Sequence, residues 1–269
     1  MSAERDSLGA GLAYDDAGDG RTVVFVHEGI ADRRMWDPQI GPFVEAGYRV
    51  VRYDLRGFGE TDLPAGPFSN LDDLQGLFRR LGIGRASLVG GSYGARIALE
   101  FTLSHPELVE ALVLVGPGLR DIEWSDEVKQ FGAEEDRLLD AGDVDGAVEL
   151  NLRTWVDGPQ RAPEDVDSEV RERVREMQRR AFEVQLAAPD LEPEPPFDPP
   201  ASARLGEIGC PTLIVVGELD QPDILRVADQ LQRGISGAHK VVIPGTAHVP
   251  SMEKPDEFNE LVLEFLRTA

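Results

Sequence analysis

Residues 86–99, Ala-Ser-Leu-Val-Gly-Gly-Ser-Tyr-Gly-Ala-Arg-Ile-Ala-Leu, limit what this chain can fold into more tightly than any other stretch. A short apolar run bounded by glycine suits a strand buried in a parallel sheet. Immediately afterwards Ile97, Ala98, Phe101 and Thr102 recur as one face of a helix. The stretch therefore reads as strand, abrupt turn and helix, with Gly90-Gly91-Ser92-Tyr93-Gly94 as a G-x-S-x-G elbow. Small residues let strand and helix approach, while Ser92 is held in a strained conformation with its hydroxyl above the sheet. The same turn aims the Tyr93 N–H, at a helix N-terminus, toward any oxygen that turns negative when a serine attacks a carbonyl.

Other segments repeat the alternation of strand and helix. Residues 8–14 read as an edge strand, antiparallel to the sheet, with a polar turn over 15–20. Residues 22–26 form a β-branched run ending at His27-Glu28-Gly29-Ile30, a loop at the carboxyl edge of the sheet, where open α/β folds bind ligands. Asp37 before Pro38 reads as a helix cap, with Ile40, Phe43 and Val44 as the inner face. Residues 49–54 are a strand, and the glycine-rich turn over 55–59 has a structural role. Residues 71–81 carry a helical pattern, 111–115 a strand, and His105-Pro106 ends the helix between them, so His105 reads as a cap. Later, 211–217 and 240–243 read as strands, 227–231 as helical and 255–266 as an amphipathic closing helix.

Residues 119–204 differ in character. They hold no β-branched run and show helical spacing in three pieces, which predicts a helical lid inserted in a core made of residues 1–118 and 205–269. A helix pair is expected around 138–155 and a longer charged helix over 166–188, with the proline-rich 189–200 as an extended hinge. Trp124, Trp155 and Phe182 are candidates to line a pocket or to hold the lid to the core.

The 269 residues are 41% hydrophobic and 29% charged, with a net charge of −23, which argues against nucleic acid or an anionic membrane as partner. Cys210, the sole cysteine, excludes an internal disulfide and reads as a small core residue. With no apolar run long enough to span a bilayer and no leader-like N-terminus, the reading is a soluble cytoplasmic chain. Assembly into homo-oligomers stays open.

Ser92, Asp220 and His248 each follow a predicted strand, in the order nucleophile, acid, base, so topology brings them to one edge. An imidazole there accepts the serine proton and returns it to the leaving group, while a carboxylate fixes the tautomer and stabilises the imidazolium. Asp223 and Glu218 compete for the acid role but sit less favourably relative to the strand end.

These motifs, with Tyr53-Asp54-Leu55-Arg56-Gly57-Phe58-Gly59, Val216-Gly217-Glu218-Leu219-Asp220 and Gly245-Thr246-Ala247-His248, make the chain resemble the α/β-hydrolase superfamily, as a capped serine esterase-like member. The resemblance implies a mostly parallel eight-stranded sheet flanked by helices, a lid between the sixth and seventh strands, and Gly29 as second oxyanion donor beside Tyr93. Members commonly carry His-Gly where this chain has His27-Glu28, which leaves Ile30 as an alternative donor and a candidate substrate contact beside Trp124 and Trp155; His27 shapes the loop. The expected activity is hydrolysis of a small carboxylic ester, lactone or thioester through an acyl-Ser92 intermediate, with no cofactor and no metal. C–C bond hydrolysis and cofactor-free perhydrolysis use the same triad, and a small-molecule sensor with residual activity is the alternative outside enzymology.

Overall fold

The computed structural model describes residues 11–63, 66–188 and 194–269. Its first half runs β1 (Tyr14–Ala17), β2 (Arg21–Val26), α1 (Asp37–Glu45), β3 (Tyr48–Tyr53), α2 (Asn70–Arg80), β4 (Ala86–Gly91), α3 (Tyr93–Ser104) and β5 (Val109–Val115). Three helices follow, α4 (Asp126–Asp140), α5 (Val144–Asn151) and α6 (Ser168–Leu186), with a π-helical turn over Leu152–Asp157 after α5. The chain then returns through β6 (Thr212–Gly217), α7 (Pro222–Gly234), β7 (His239–Ile243), the single turn α8 (Pro250–Glu253) and α9 (Pro255–Thr268).

The strands form one sheet in the order β1-β3-β2-β4-β5-β6-β7, parallel throughout except for β1 against β3. Alternate side chains feed two apolar layers. Val24, Leu88, Leu112 and Ile214 pack with α2, α3 and α7, through Phe78, Phe101 and Leu231. Phe25, Val89, Val113 and Val215 pack with α1 and α9, through Phe43, Phe258 and Val262. The chain runs out from β2 to β3 and returns past β2 to β4, so connections leave in opposite directions at the β2/β4 boundary. A crevice opens at the carboxyl ends of strands at such a point.

Several expectations shift. The described residues contain seven strands rather than eight, and the first begins at Tyr14, where a strand over 8–14 had been expected; residues 8–10 lie outside the described residues. Asp15 and Asp16, read as turn residues, extend in β1 because arginines answer their charges: Arg52 Nε lies 2.9 Å from Asp15 Oδ2, and Arg49 binds Asp16 at 2.7 Å. Asp37 lies within the first turn of α1 rather than capping it, and its carboxylate pairs with Arg52 and Arg173 instead. Cys210 is half-buried at the core's margin. Of the expected hinge over 189–200, residues 189–193 lie outside the described residues, and 194–200 contain neither helix nor strand. No helix among the described residues is long and apolar enough to cross a membrane.

Candidate active site

The register of the sheet assembles the site. Val26 lies beside Gly90 across the β2–β4 pair, so the loop after β2 meets the elbow after β4. At the elbow Ser92 adopts φ +47° and ψ −106°, the single non-glycine residue with positive φ among the described residues. Side chains adopt such a conformation only where the surroundings enforce it. Here the Ser92 N–H donates to the Val115 carbonyl at 2.7 Å, and a Cβ on Gly94 would overlap the Val26 and His27 carbonyls. Gly94 therefore lets α3 start directly against β2.

Ser92 Oγ lies 2.8 Å from His248 Nε2, and His248 Nδ1 lies 3.1 and 3.0 Å from the two carboxylate oxygens of Asp220. Asp220 and His248 are buried. A carboxylate facing Nδ1 holds the proton there and leaves Nε2 free to accept the hydroxyl proton. Burial opposes charge on His248, but Asp220, by its field and hydrogen bond and with Glu28 adding to it, outweighs burial and raises the imidazole to about 9. The competing acids are engaged elsewhere: Asp223 accepts from Ser125 N–H and pairs with Arg226, and Glu218 accepts from Gly245 N–H at 2.9 Å. His105 caps the end of α3 with its ring tilted against Phe101, centroids 4.8 Å apart.

His27 accepts from Leu55 N–H at Nε2, 2.9 Å, so its Nδ1 donates to the Glu28 carbonyl at 2.7 Å. The Ala31 N–H also donates to that carbonyl, at 3.3 Å. A peptide plane carries its N–H opposite its C=O, so the Gly29 N–H points away from this inner network. A Cβ built on Gly29 would lie 3.6 Å from Tyr93 Cβ, which brings the two expected oxyanion donors together. From α6, the Gln178 amide nitrogen, turned to face them, reaches the Gly29 and Ile30 carbonyls, each at 3.2 Å. That contact turns the Ile30 N–H away from Gln178.

Gly116 and Gln178 escape the sequence reading, and Glu28 enters it only as a departure from His-Gly. A Cβ on Gly116, at φ +50°, would lie 3.1 Å from His248 Nδ1 and Cε1, so the glycine after β5 makes room for the imidazole. Gly116-Pro-Gly read only as a strand end. Glu28 is fully buried, and neither carboxylate oxygen has a hydrogen-bond partner in the protein. Its side chain lies where a Cβ on Gly91 would meet it at 2.6 Å, next to Ser92 in sequence. Burial pushes its carboxyl up to about 8; the His248 field opposes this, while Asp220 and Glu253 add to it.

Two cavities meet at Ser92. The larger, about 740 Å³, is mainly aromatic and aliphatic, with Phe68, Tyr93, Leu119, Trp124, Phe131 and Trp155 among its walls. The smaller, about 250 Å³, also touches His248 and Ile30 and is closed by Phe58, Phe182 and a set of polar side chains from the helices between β5 and β6. Trp124, Trp155, Phe182 and Ile30 thus all face the space around Ser92. Trp155 is also attached to the site: its carbonyl accepts from His248 N–H at 3.3 Å, and its ring centroid lies 4.8 Å from that of His248. Among the described residues no group of three or more His, Cys, Asp or Glu forms a candidate metal site.

A model of the alpha/beta hydrolase family matches residues 23–261. The chain is 33% identical over 267 residues to 2-hydroxy-6-oxononadienedioate/2-hydroxy-6-oxononatrienedioate hydrolase of Klebsiella pneumoniae, covering 96% of this chain and 91% of that one. It is 30% identical to 2-hydroxy-6-oxo-6-phenylhexa-2,4-dienoate hydrolase of Comamonas testosteroni, covering 98% and 94%. Among solved structures it superposes on Est816, described as an N-acyl homoserine lactone degrading enzyme, with a TM-score of 0.77 at 27% identity, covering 97% of this chain and 98% of that one.

Proposed function

This chain belongs to the alpha/beta hydrolase family, and from that membership we propose that it cleaves small carboxylic esters, lactones or thioesters through an acyl-Ser92 intermediate. The observation that carries the reading is the unbroken line from Ser92 Oγ to His248 Nε2 and from His248 Nδ1 to Asp220, built on a strained serine. Ser92 Oγ attacks the carbonyl carbon as its proton passes to His248 Nε2. The carbonyl oxygen takes the displaced electron pair as an oxyanion, stabilised by the Tyr93 and Gly29 N–H groups by a few kcal/mol, on the order of that measured for such donors. Collapse re-forms the C=O and expels the leaving oxygen or sulfur, which takes the proton from His248. Water then repeats the sequence on the acyl-serine and frees Ser92. In this reading residues 119–204 act as a lid over a core of residues 1–118 and 205–269, and Ile30, Trp124 and Trp155 bear on the substrate.

A second reading has specific support in the two relatives named as hydrolases of 2-hydroxy-6-oxo-dienoates: hydrolysis of a carbon–carbon bond next to a ketone, in which the leaving atom is carbon. The same triad serves both.

The test is hydrolysis of p-nitrophenyl butyrate together with labelling by a fluorophosphonate. Wild type is expected to turn over and to be labelled at Ser92, and Ser92→Ala to lose at least about 10³-fold in kcat/KM and all labelling. Turnover unchanged in Ser92→Ala sinks the reading, and turnover of a 2-hydroxy-6-oxo-dienoate far above that of any ester favours the second.

A further inference from the structure

The smaller cavity has a polarity that its residue names do not reveal, because its carboxamides have already committed N–H groups to the protein. Gln178 directs its amide nitrogen at the Gly29 and Ile30 carbonyls, each at 3.2 Å. Asn151 Nδ2 donates to Glu135 Oε1 and, at 2.9 Å, to the Ala147 carbonyl. Gln185 Nε2 donates to the Gly57 carbonyl at 3.3 Å. An amide with its nitrogen so engaged offers its oxygen to whatever else is near. The remaining ionisable side chains on this wall are His248, already bonded to Ser92 and Asp220, and Glu135, a half-buried carboxylate from α4. The lobe is therefore biased towards acceptors: both N–H groups of Gln178 and of Asn151 and one of Gln185 are engaged, which leaves the amide oxygens and the Glu135 carboxylate against a single spare Gln185 N–H.

The larger cavity has no such bias. Its Arg96 is held by Glu100 and Glu194, each at 3.4 Å, and lies over the Tyr93 ring at 4.5 Å; its Arg120 pairs with the same two acids. Cation and anion are matched there, and the remaining walls are apolar.

We propose that the arm of the substrate in the smaller cavity carries a hydrogen-bond donor, a protonated amine or a hydroxyl, and that Glu135 is the specificity-determining residue that reads it. The other arm, in the larger cavity, is apolar. This rests on the acyl-Ser92 reading and narrows its substrate class. A donor on that arm finds acceptors among the side chains that line the lobe, while a carboxylate brings a second anion beside Glu135 with no cation among the described residues of the lobe except His248.

The proposal is tested with butyrate esters of matched shape. The 2-(dimethylamino)ethyl ester, protonated at neutral pH, and the 3-methylbutyl ester differ in one atom of the alcohol skeleton; 4-hydroxybutyl, pentyl and 3-carboxypropyl esters complete the set. Wild type is expected to favour the ammonium ester over its hydrocarbon match by about tenfold or more in kcat/KM, as a charge-assisted hydrogen bond in a partly desolvated site would give. The hydroxyl ester is expected to lead its match by a smaller factor, and the carboxylate ester to be the slowest. Glu135→Gln should bring the ammonium-to-hydrocarbon ratio to within about threefold of unity, and Glu135→Asp, which keeps the charge, should retain most of it; fluorophosphonate labelling of Ser92 reports that each variant is folded. A wild-type ratio at or below one, or a ratio that survives Glu135→Gln, overturns the proposal while leaving the hydrolase reading standing. Absence of Ser92-dependent hydrolysis of every ester overturns both.

Discussion

Below Ser92 and above it the protein is built by different rules. Below, β2, β4, β5 and β6 end in close-packed turns where glycines admit their neighbours: Gly94 against the Val26 and His27 carbonyls, Gly217 against the Thr246 and Ala247 carbonyls, Gly116 against the His248 imidazole. Above, α4 has no fully buried side chain, and α5 and α6, which bury Val148, Val174, Met177 and Phe182, carry in addition partly exposed arginine–carboxylate pairs such as Arg175 with Glu149. Close packing resists displacement, whereas partly exposed ion pairs contribute modestly and rearrange readily. On the proposed reading, the difference teaches that reactivity belongs to the sheet edge and selection to the helices, so substitutions below should change rates for all substrates together and substitutions above should change the ratios between them.

Asp220→Asn puts that division under the greatest strain. With the carboxylate gone, Nδ1 is free to face an N–H and Nε2 to carry the proton, and kcat/KM is expected to fall by about 10³- to 10⁴-fold for every ester tested. A loss that depends strongly on the ester would break the division.

Glu28→Gln comes next. A carboxyl that ionises near 4.5 in the unfolded chain and about 8 in the fold binds more protons folded than unfolded between those values. The stability it lends is present below the unfolded value and is lost as pH rises toward 8. Removing the titration should therefore flatten the decline, making the variant's stability relative to wild type more favourable at pH 8 than at pH 5 by about 3 kcal/mol, read from denaturant unfolding at the two values. The charge that wild-type Glu28 acquires near pH 8 favours the imidazolium of His248. Its removal is expected to move the rising limb of kcat/KM against pH to lower pH by about half a unit to one unit. A limb that stays in place would separate Glu28 from the base.

Gln178→Ala gives the smallest effect and the sharpest test of the division, because the residue belongs to the helices but touches the loop of the sheet edge. If it acts by orienting the Gly29 peptide, kcat falls about tenfold with KM little changed and the ester ratios intact, a fraction of what losing an oxyanion donor outright does. A change confined to KM would return it to the selecting layer.

The same contrast explains what the sequence could disclose. The inner parallel strands were legible because burial on both faces forces continuous apolar runs, and Ser92 and Asp220 because each follows such a run; His248 follows the edge strand β7, a short β-branched run that is only partly buried. The edge strand was misjudged because Asp15 and Asp16 depend on Arg52 and Arg49, more than thirty residues away. Gly116 and Gln178 were invisible for a related reason: what marks them is proximity to His248 and to two carbonyls, which no local pattern encodes. Glu28 was noticed as a departure from His-Gly, yet its isolation follows from Gly91 lying opposite, a pairing set by the fold.

The π-helical turn after α5 is fastened at several points: through the Trp155 carbonyl to the backbone of His248, through the Thr154 carbonyl to Gln221 at 2.6 Å, and by Arg161, which reaches from the turn's Val156 and Asp157 carbonyls to Glu253. A swing of the helical layer about that end would drag the imidazole with it and idle the enzyme. On the proposed reading, reactants and products are therefore expected to pass on the α4 side, where no side chain is fully buried, while the indole side stays tied to the base.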